Sequence, residues 1–109
     1  MKADSNMPFK EFQAKDRRLC ILLALDSAEG YSAPDALLKS FLDSVGHRVS
    51  HKVLGEDLGW LAERGLVVLE TLPLALVATA TQAGVDVAQG REVVAGVNRP
   101  KPLAAGVPL

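Results

Sequence analysis

Six consecutive residues, His47-Arg48-Val49-Ser50-His51-Lys52, concentrate the chain's chemistry. Arg48 and Lys52 carry positive charge, His47 and His51 offer ring nitrogens, and Ser50 adds a hydroxyl that could reach a phosphate. Ser50 is also a good N-cap, so a helix starting there puts the group at a helix N-terminus, which favours anions. The chemistry on offer is contact with a phosphate backbone. One count works against it. Between His47 and Arg64 the charges cancel, with Arg48, Lys52 and Arg64 facing Glu56, Asp57 and Glu63. A helix lying along a nucleic-acid groove usually shows more basic excess than that. An ordinary solvated helix face is the competing reading.

Other chemistry is thin. His47 and His51 straddle the Ser50 cap, while Glu56 and Asp57 are adjacent and diverge around a helix. There is no His-Glu-x-x-His motif, no phosphate loop and no nucleophile elbow. The expectation is no catalytic residue, no enzyme activity, no metal site and no cofactor. Cys20 is the single cysteine and lies in an apolar run. That excludes an internal disulfide framework, argues against a cysteine-based zinc site, and reads as a small core side chain. Lys15, Arg17 and Arg18 form a second basic group, read as a solvated helix face. Arg91, Arg99 and Lys101 could touch phosphates as a flexible arm, without aromatics for base stacking. Trp60 reads as a core or interface anchor.

The elements that must position these residues follow from spacing. After Ser50, apolar residues recur at Val53, Leu54, Leu58 and Leu61, which is helical periodicity with one buried face. Gly65 ends that helix. Residues 1–8 have no pattern and are expected to be disordered. A first helix runs from about Phe9 to Ala28, with Phe12, Leu19, Leu22 and Leu23 on one face and Ile21 and Leu25 widening it. Ser32-Ala33-Pro34-Asp35 restarts a helix, with Ser32 as cap and Pro34 in its first turn. Leu37, Leu38, Phe41, Leu42 and Val45 face inward, and Gly46 closes the helix. Two helices joined by a short glycine-containing turn make a helix-turn-helix unit. Val67 to Leu72 and Leu74 to Ala80 read as strands of a hairpin around Pro73. Thr81 caps a short helix that Gly90 closes. Residues 91–109, rich in proline and glycine, read as an extended arm.

At 109 residues the chain is one domain, with residues 9–90 as its body. Its composition, 49% apolar but 5% aromatic, calls for an aliphatic core. A net charge of −1 provides no global attraction to nucleic acid, so any binding must be local. The apolar run Leu19–Leu25 is too short to span a bilayer and sits too late to be a signal peptide. A soluble, cytoplasmic protein without a membrane partner is expected. The first helix is apolar on too many sides for one small core, so Leu19, Leu22 and Leu25 are expected at a homodimer interface.

The order helix, helix, helix, strand, strand, helix gives a mostly helical α+β fold. It resembles the winged helix-turn-helix regulators of the ArsR and MarR types. A narrower resemblance, over roughly Asp16 to Pro102, is to the small ArsR-like proteins of Mu-like phages and prophages. Its carrying residues are Arg18-Leu19-x-Ile21-Leu22, Val49-Ser50, Asp57-Leu58-x-Trp60-Leu61-Ala62, Gly65-Leu66-Val67, Thr81-x-x-Gly84-x-Asp86-Val87-Ala88-x-Gly90 and Gly96-Val97-x-Arg99-Pro100. The resemblance implies a phage- or prophage-encoded transcriptional regulator that binds double-stranded DNA through His47, Arg48, Ser50, His51 and Lys52. Metal-sensing ArsR proteins carry a cysteine pair in the recognition helix. This chain has none there, so metal sensing is not carried over. The wing tip, Leu72-Pro73-Leu74, is uncharged where DNA-reading wings usually carry arginine or lysine. That favours the alternative of a winged-helix protein-interaction module, in phage assembly or partner binding, without DNA affinity.

Overall fold

The computed structural model describes residues 7–101. Along the chain they form α1 (Met7–Ser27), a 3-10 turn (Glu29–Tyr31), β1 (Ser32–Pro34), α2 (Asp35–Ser44), α3 (His51–Glu63), β2 (Val67–Leu72), β3 (Ala75–Ala80) and α4 (Gln82–Ala88). The three strands make one antiparallel sheet in the order β1-β3-β2. The expected disorder of residues 1–8 falls outside the described residues as far as residue 6, and Met7 and Pro8 already belong to α1.

The hairpin forms where proline and the β-branched residues place it. Val67 pairs with Ala80 and Leu72 with Ala75, leaving Pro73-Leu74 as a two-residue turn. Proline thus sits outside the ladder, where its missing N–H costs nothing. The side chains alternate across the sheet: Val67 is buried and Leu69 packs on the core, whereas Val68 and Leu72 face outward.

The start of α2 differs from the expectation. Ser32 does not cap a helix; it begins β1, with Ser32, Ala33 and Pro34 paired to Thr79, Ala78 and Val77. A residue before proline is pushed out of the helical region, which keeps Ala33 extended. Pro34 takes the N-cap position with φ −76° and ψ 156°. The Asp35 carboxylate does the capping work instead. It accepts from Ala36 N–H at 2.9 Å and from Leu76 N–H at 3.4 Å, tying α2 to β3.

The core is aliphatic. Ile21, Leu22 and Leu25 of α1 meet Leu38 and Leu42 of α2, Leu54, Leu58 and Leu61 of α3, and Val87 and Ala88 of α4. Each large aliphatic side chain enclosed in this way contributes about 1.5–3 kcal/mol of transfer free energy. Leu19, Leu22 and Leu25, expected at a subunit interface, lie inside this core at 6%, 0% and 0% exposure. The physical reason is that α1 is central: it packs against α2, β3 and α4 at once. These three leucines are covered within one subunit. On α1 the exposed apolar side chains are instead Phe9, Phe12 and Leu23.

Residues 91–101, expected as an extended arm, form neither helix nor strand but bend and turn, with Val97 N–H donating to the Val94 carbonyl at 3.1 Å, and they do not hang free. Val97 is buried, and Asn98 N–H donates to the Lys15 carbonyl on α1 at 3.2 Å. The rest of the expected arm, from residue 102, lies outside the described residues. Among the described residues no helix is long and apolar enough to cross a membrane.

Candidate functional site

The start of α3 gathers the expected residues at one corner, but their side chains have different duties. Ser50 is the N-cap: its Oγ accepts the Val53 N–H at 3.2 Å. Its hydroxyl therefore serves the helix. His47 is turned towards α1, with Nε2 2.7 Å from Asp16 Oδ2 and little exposure. Lys52 is exposed and reaches Glu56 one turn on, Nζ to Oε2 2.8 Å. The Glu56 hydrogen bond and charge raise the Lys52 ammonium above its ordinary value. Arg48 and His51 are exposed. Arg48, His51 and Lys52 are thus the basic and ring side chains of the corner that face solvent, beside the exposed Ser50 cap.

Beside them, a cleft of about 290 Å³ separates α1 from the α2–α3 turn. Gln13 and Arg17 line it from α1, and Gly46, His47, Arg48 and Val49 line it from the turn. Of its cationic lining, Arg48 is exposed, whereas Arg17 and His47 are paired with Asp57 and Asp16.

Arg17 and Arg18 do not form a solvated face. Both turn inward onto Asp57, a residue of α3 only 3% exposed. Arg17 meets the carboxylate through two nitrogens: Nε donates to Oδ2, and Nη2 donates to Oδ1 at 3.2 Å. Arg18 Nε lies 3.6 Å from Oδ1, a charge contact without a hydrogen bond. Arg18 Nη1 donates instead to the Gly96 carbonyl at 3.0 Å. The Trp60 ring lies between two guanidinium groups, Arg18 at 4.1 Å and Arg64 at 3.7 Å from its centroid. Gly96 presses on the ring edge so closely that a Cβ there would clash with Cζ2 and come within 2.6 Å of Cη2. Trp60 therefore anchors α1, α3 and the C-terminal segment to one another. Reading the sequence by residue type missed this cluster. A signal was present: Asp57 falls on the inward stripe with Leu54, Leu58 and Leu61, where a charge needs a partner.

A second polar group joins α1 to the α2–α3 turn. Asp16, Cys20 and His47 each point one ligand-type atom at the others, all within 4.8 Å. Burial, then the Asp16 charge and hydrogen bond, push the Cys20 thiol up to about 11. The thiol is therefore protonated at neutral pH and can donate weakly to Asp16, at 3.9 Å.

The hairpin tip is apolar and open. Leu74 is 98% exposed and Leu72 42%.

Two known proteins resemble this chain in sequence. It is 46% identical over 90 residues to the uncharacterized protein gp26 of Escherichia phage Mu, a match covering 83% of this chain and 93% of that protein. It is 39% identical over 66 residues to an uncharacterized protein of Haemophilus influenzae, covering 61% of this chain and 64% of that one. No protein-family model and no solved structure matches the chain.

Proposed function

Since the chain belongs to the family of the phage Mu protein gp26, we propose that it is a phage- or prophage-encoded DNA-binding transcriptional regulator built on a winged helix-turn-helix. The observation that carries this reading is the corner at the start of α3, where Arg48, His51 and Lys52 face solvent together. Arg17 lies across the adjoining cleft. The element order α1-β1-α2-α3-β2-β3, with strands arranged β1-β3-β2, supports it. In this arrangement α2 and α3 form the helix-turn-helix and β2-β3 the wing. The burial of Asp57 supports it too. With that carboxylate neutralised by Arg17 and Arg18, α3 and its flanks keep Arg48 of the turn, Lys52 and the C-cap Arg64 against only Glu56 and Glu63. The surface over residues 48–64 then carries one net positive charge, although its sequence is neutral. The regulator is ArsR-like in outline but lacks the recognition-helix cysteine pair of the metal-sensing members.

Binding of the protein to fragments of its own phage or prophage genome, followed by anisotropy against salt, tests this. Log K should fall linearly with log salt, by about 0.9 per phosphate neutralised. Changing Arg48 and Lys52 together to alanine should flatten that slope by about two units and weaken all sequences alike. Glu56→Gln should strengthen binding, because it frees Lys52 from its 2.8 Å partner. No binding even at low salt would end the regulator reading.

One observation favours a second reading, a protein-interaction module. The wing tip offers Leu72, Pro73 and Leu74 where a DNA-reading wing offers cations, and Leu74 is almost wholly exposed. Such a tip suits a partner's apolar pocket. On this reading Leu74→Asp abolishes partner binding, and the change of Arg48 and Lys52 to alanine leaves it intact.

A further inference from the structure

Asp16 and Cys20 stand one helical turn apart on α1, and His47 reaches them from the α2–α3 turn. They supply one oxygen, one sulfur and one nitrogen, all within 4.8 Å of one another and partly open to solvent. In a tetrahedral zinc site, bonds of about 2.0–2.3 Å put neighbouring ligand atoms roughly 3.3–3.6 Å apart. Here the His47–Asp16 pair is at 2.7 Å and the Cys20–Asp16 pair at 3.9 Å. One pair must open and the other close, each by less than about 1 Å, which side-chain rotation can supply. A cleft of about 300 Å³ adjoins Asp16 and Cys20 and gives an ion a way in and a water the fourth position.

We infer that Asp16, Cys20 and His47 form a binding site for a divalent transition-metal ion, zinc being the best fit, that fastens the α2–α3 turn to α1. The ligand set selects among ions. Calcium and magnesium want oxygen ligands, whereas a mixed sulfur, nitrogen and oxygen set with an open position suits zinc. Charge also balances: a dication against one thiolate and one carboxylate leaves the site neutral beside Arg99 and Lys101, which line the same cleft. Binding needs two proton adjustments. His47 gives up its Asp16 contact and binds the metal through a proton-free Nε2, its one ring proton held on Nδ1, and the Cys20 thiol releases one proton to solvent. No redox step is involved. The sequence concealed this site because positions 16, 20 and 47 match no local ligand motif. The inference does not rest on DNA binding and is measured without DNA.

The test is a calorimetric titration of the full chain with zinc, with cobalt as a spectroscopic substitute. One ion should bind per chain, with Kd at or below about 10 µM. The cobalt form should show a thiolate-to-metal charge-transfer band. Cys20→Ser should remove the band, and Cys20→Ser and His47→Ala should each weaken zinc binding by at least about tenfold. Zinc should raise the melting temperature of the wild type but not of Cys20→Ser. Should a variant fold poorly by circular dichroism, the wild type alone decides: zinc should shield Cys20 from alkylation, and a chelator should restore reactivity. No saturable binding up to about 100 µM zinc overturns the inference. So does binding without a thiolate band, or alkylation unaffected by zinc.

Discussion

Replacing Asp57 with alanine should be among the most damaging single changes to this fold. The change removes a carboxylate that is 3% exposed and leaves Arg17 and Arg18, each 14% exposed at the side chain, without their counter-charge. Breaking a buried pair by removing one partner costs about 3–5 kcal/mol. Here the low end applies, because Arg17 borders the open cleft and can take up water in the variant. The hydrogen-bond count points the same way: two bonds from Arg17 to a charged acceptor, at about 1.5–3 kcal/mol each, bound the loss from above. We expect about 3 kcal/mol. In urea, with a slope of about 1.5–2 kcal/mol/M, the midpoint should fall by about 1.5–2 M. In a thermal melt the same loss corresponds to about 12 °C. Asp57→Asn keeps an acceptor for Arg17 and should lose roughly half as much. Two controls separate a buried network from a surface charge effect. The loss should persist in about 0.5 M salt, which screens exposed pairs. Arg17→Ala and Asp57→Ala should also be non-additive by at least about 1 kcal/mol. A loss below about 1 kcal/mol, or strict additivity of the two, would refute the reasoning.

The remaining predictions concern the C-terminal segment and α4. Gly96→Ala should dislodge that segment, because the new Cβ collides with the Trp60 ring and φ +98° strains any side chain. The expected cost is about 1–3 kcal/mol, and Trp60 emission should shift to the red as its edge meets water. The Asp86 carboxyl is held below its ordinary value by its hydrogen bond from Arg91 and then that from Gln82. A group depressed in the folded state contributes stability above its unfolded value and loses it as pH falls through the folded one. Asp86→Asn should therefore flatten the stability profile between about pH 5 and pH 3, read by denaturation at each pH. An unchanged profile would show that Asp86 does not couple to folding.

Local chemistry was legible wherever one residue's neighbours decide its conformation. Ser50 and Thr81 look like caps in the sequence and are caps in the structure, accepting from Val53 and Gly84. Pro73 marks the hairpin turn because proline has no N–H for the middle of a ladder; Pro34 is accommodated at the end of the edge strand β1. What stayed hidden depends on residues far along the chain. Ser32-Ala33-Pro34 suits a helix start by local rules, and it becomes a strand only because Thr79, Ala78 and Val77 are there to pair with it. Arg17 and Arg18 resemble a solvated face until Asp57, forty residues on, is placed beneath them. The corner at α3 was half legible. Its position was foreseeable, but the diversion of His47 to Asp16 and of Lys52 to Glu56 was not. Periodicity reports which side of a helix is apolar and not what lies opposite it, so Leu19, Leu22 and Leu25 could be core or interface on sequence alone.

The fastening of Gly96 and Asn98 onto α1 also sets an order of events in folding. The bond from Arg18 to Gly96 joins residues 78 positions apart. Closing so wide a loop from an open chain costs about 1.8 kcal/mol more than closing one of about ten residues. That cost is avoided if α1, the sheet and α4 assemble first and bring the two ends together. The terminal strap should therefore be a late arrival, latching onto a body already formed, and the first to let go. Until it latches, Trp60 has one edge bare and Arg18 one hydrogen bond unmade. On a growing chain α1 is made first and its last contacts are made last, so the oldest helix waits longest to be finished.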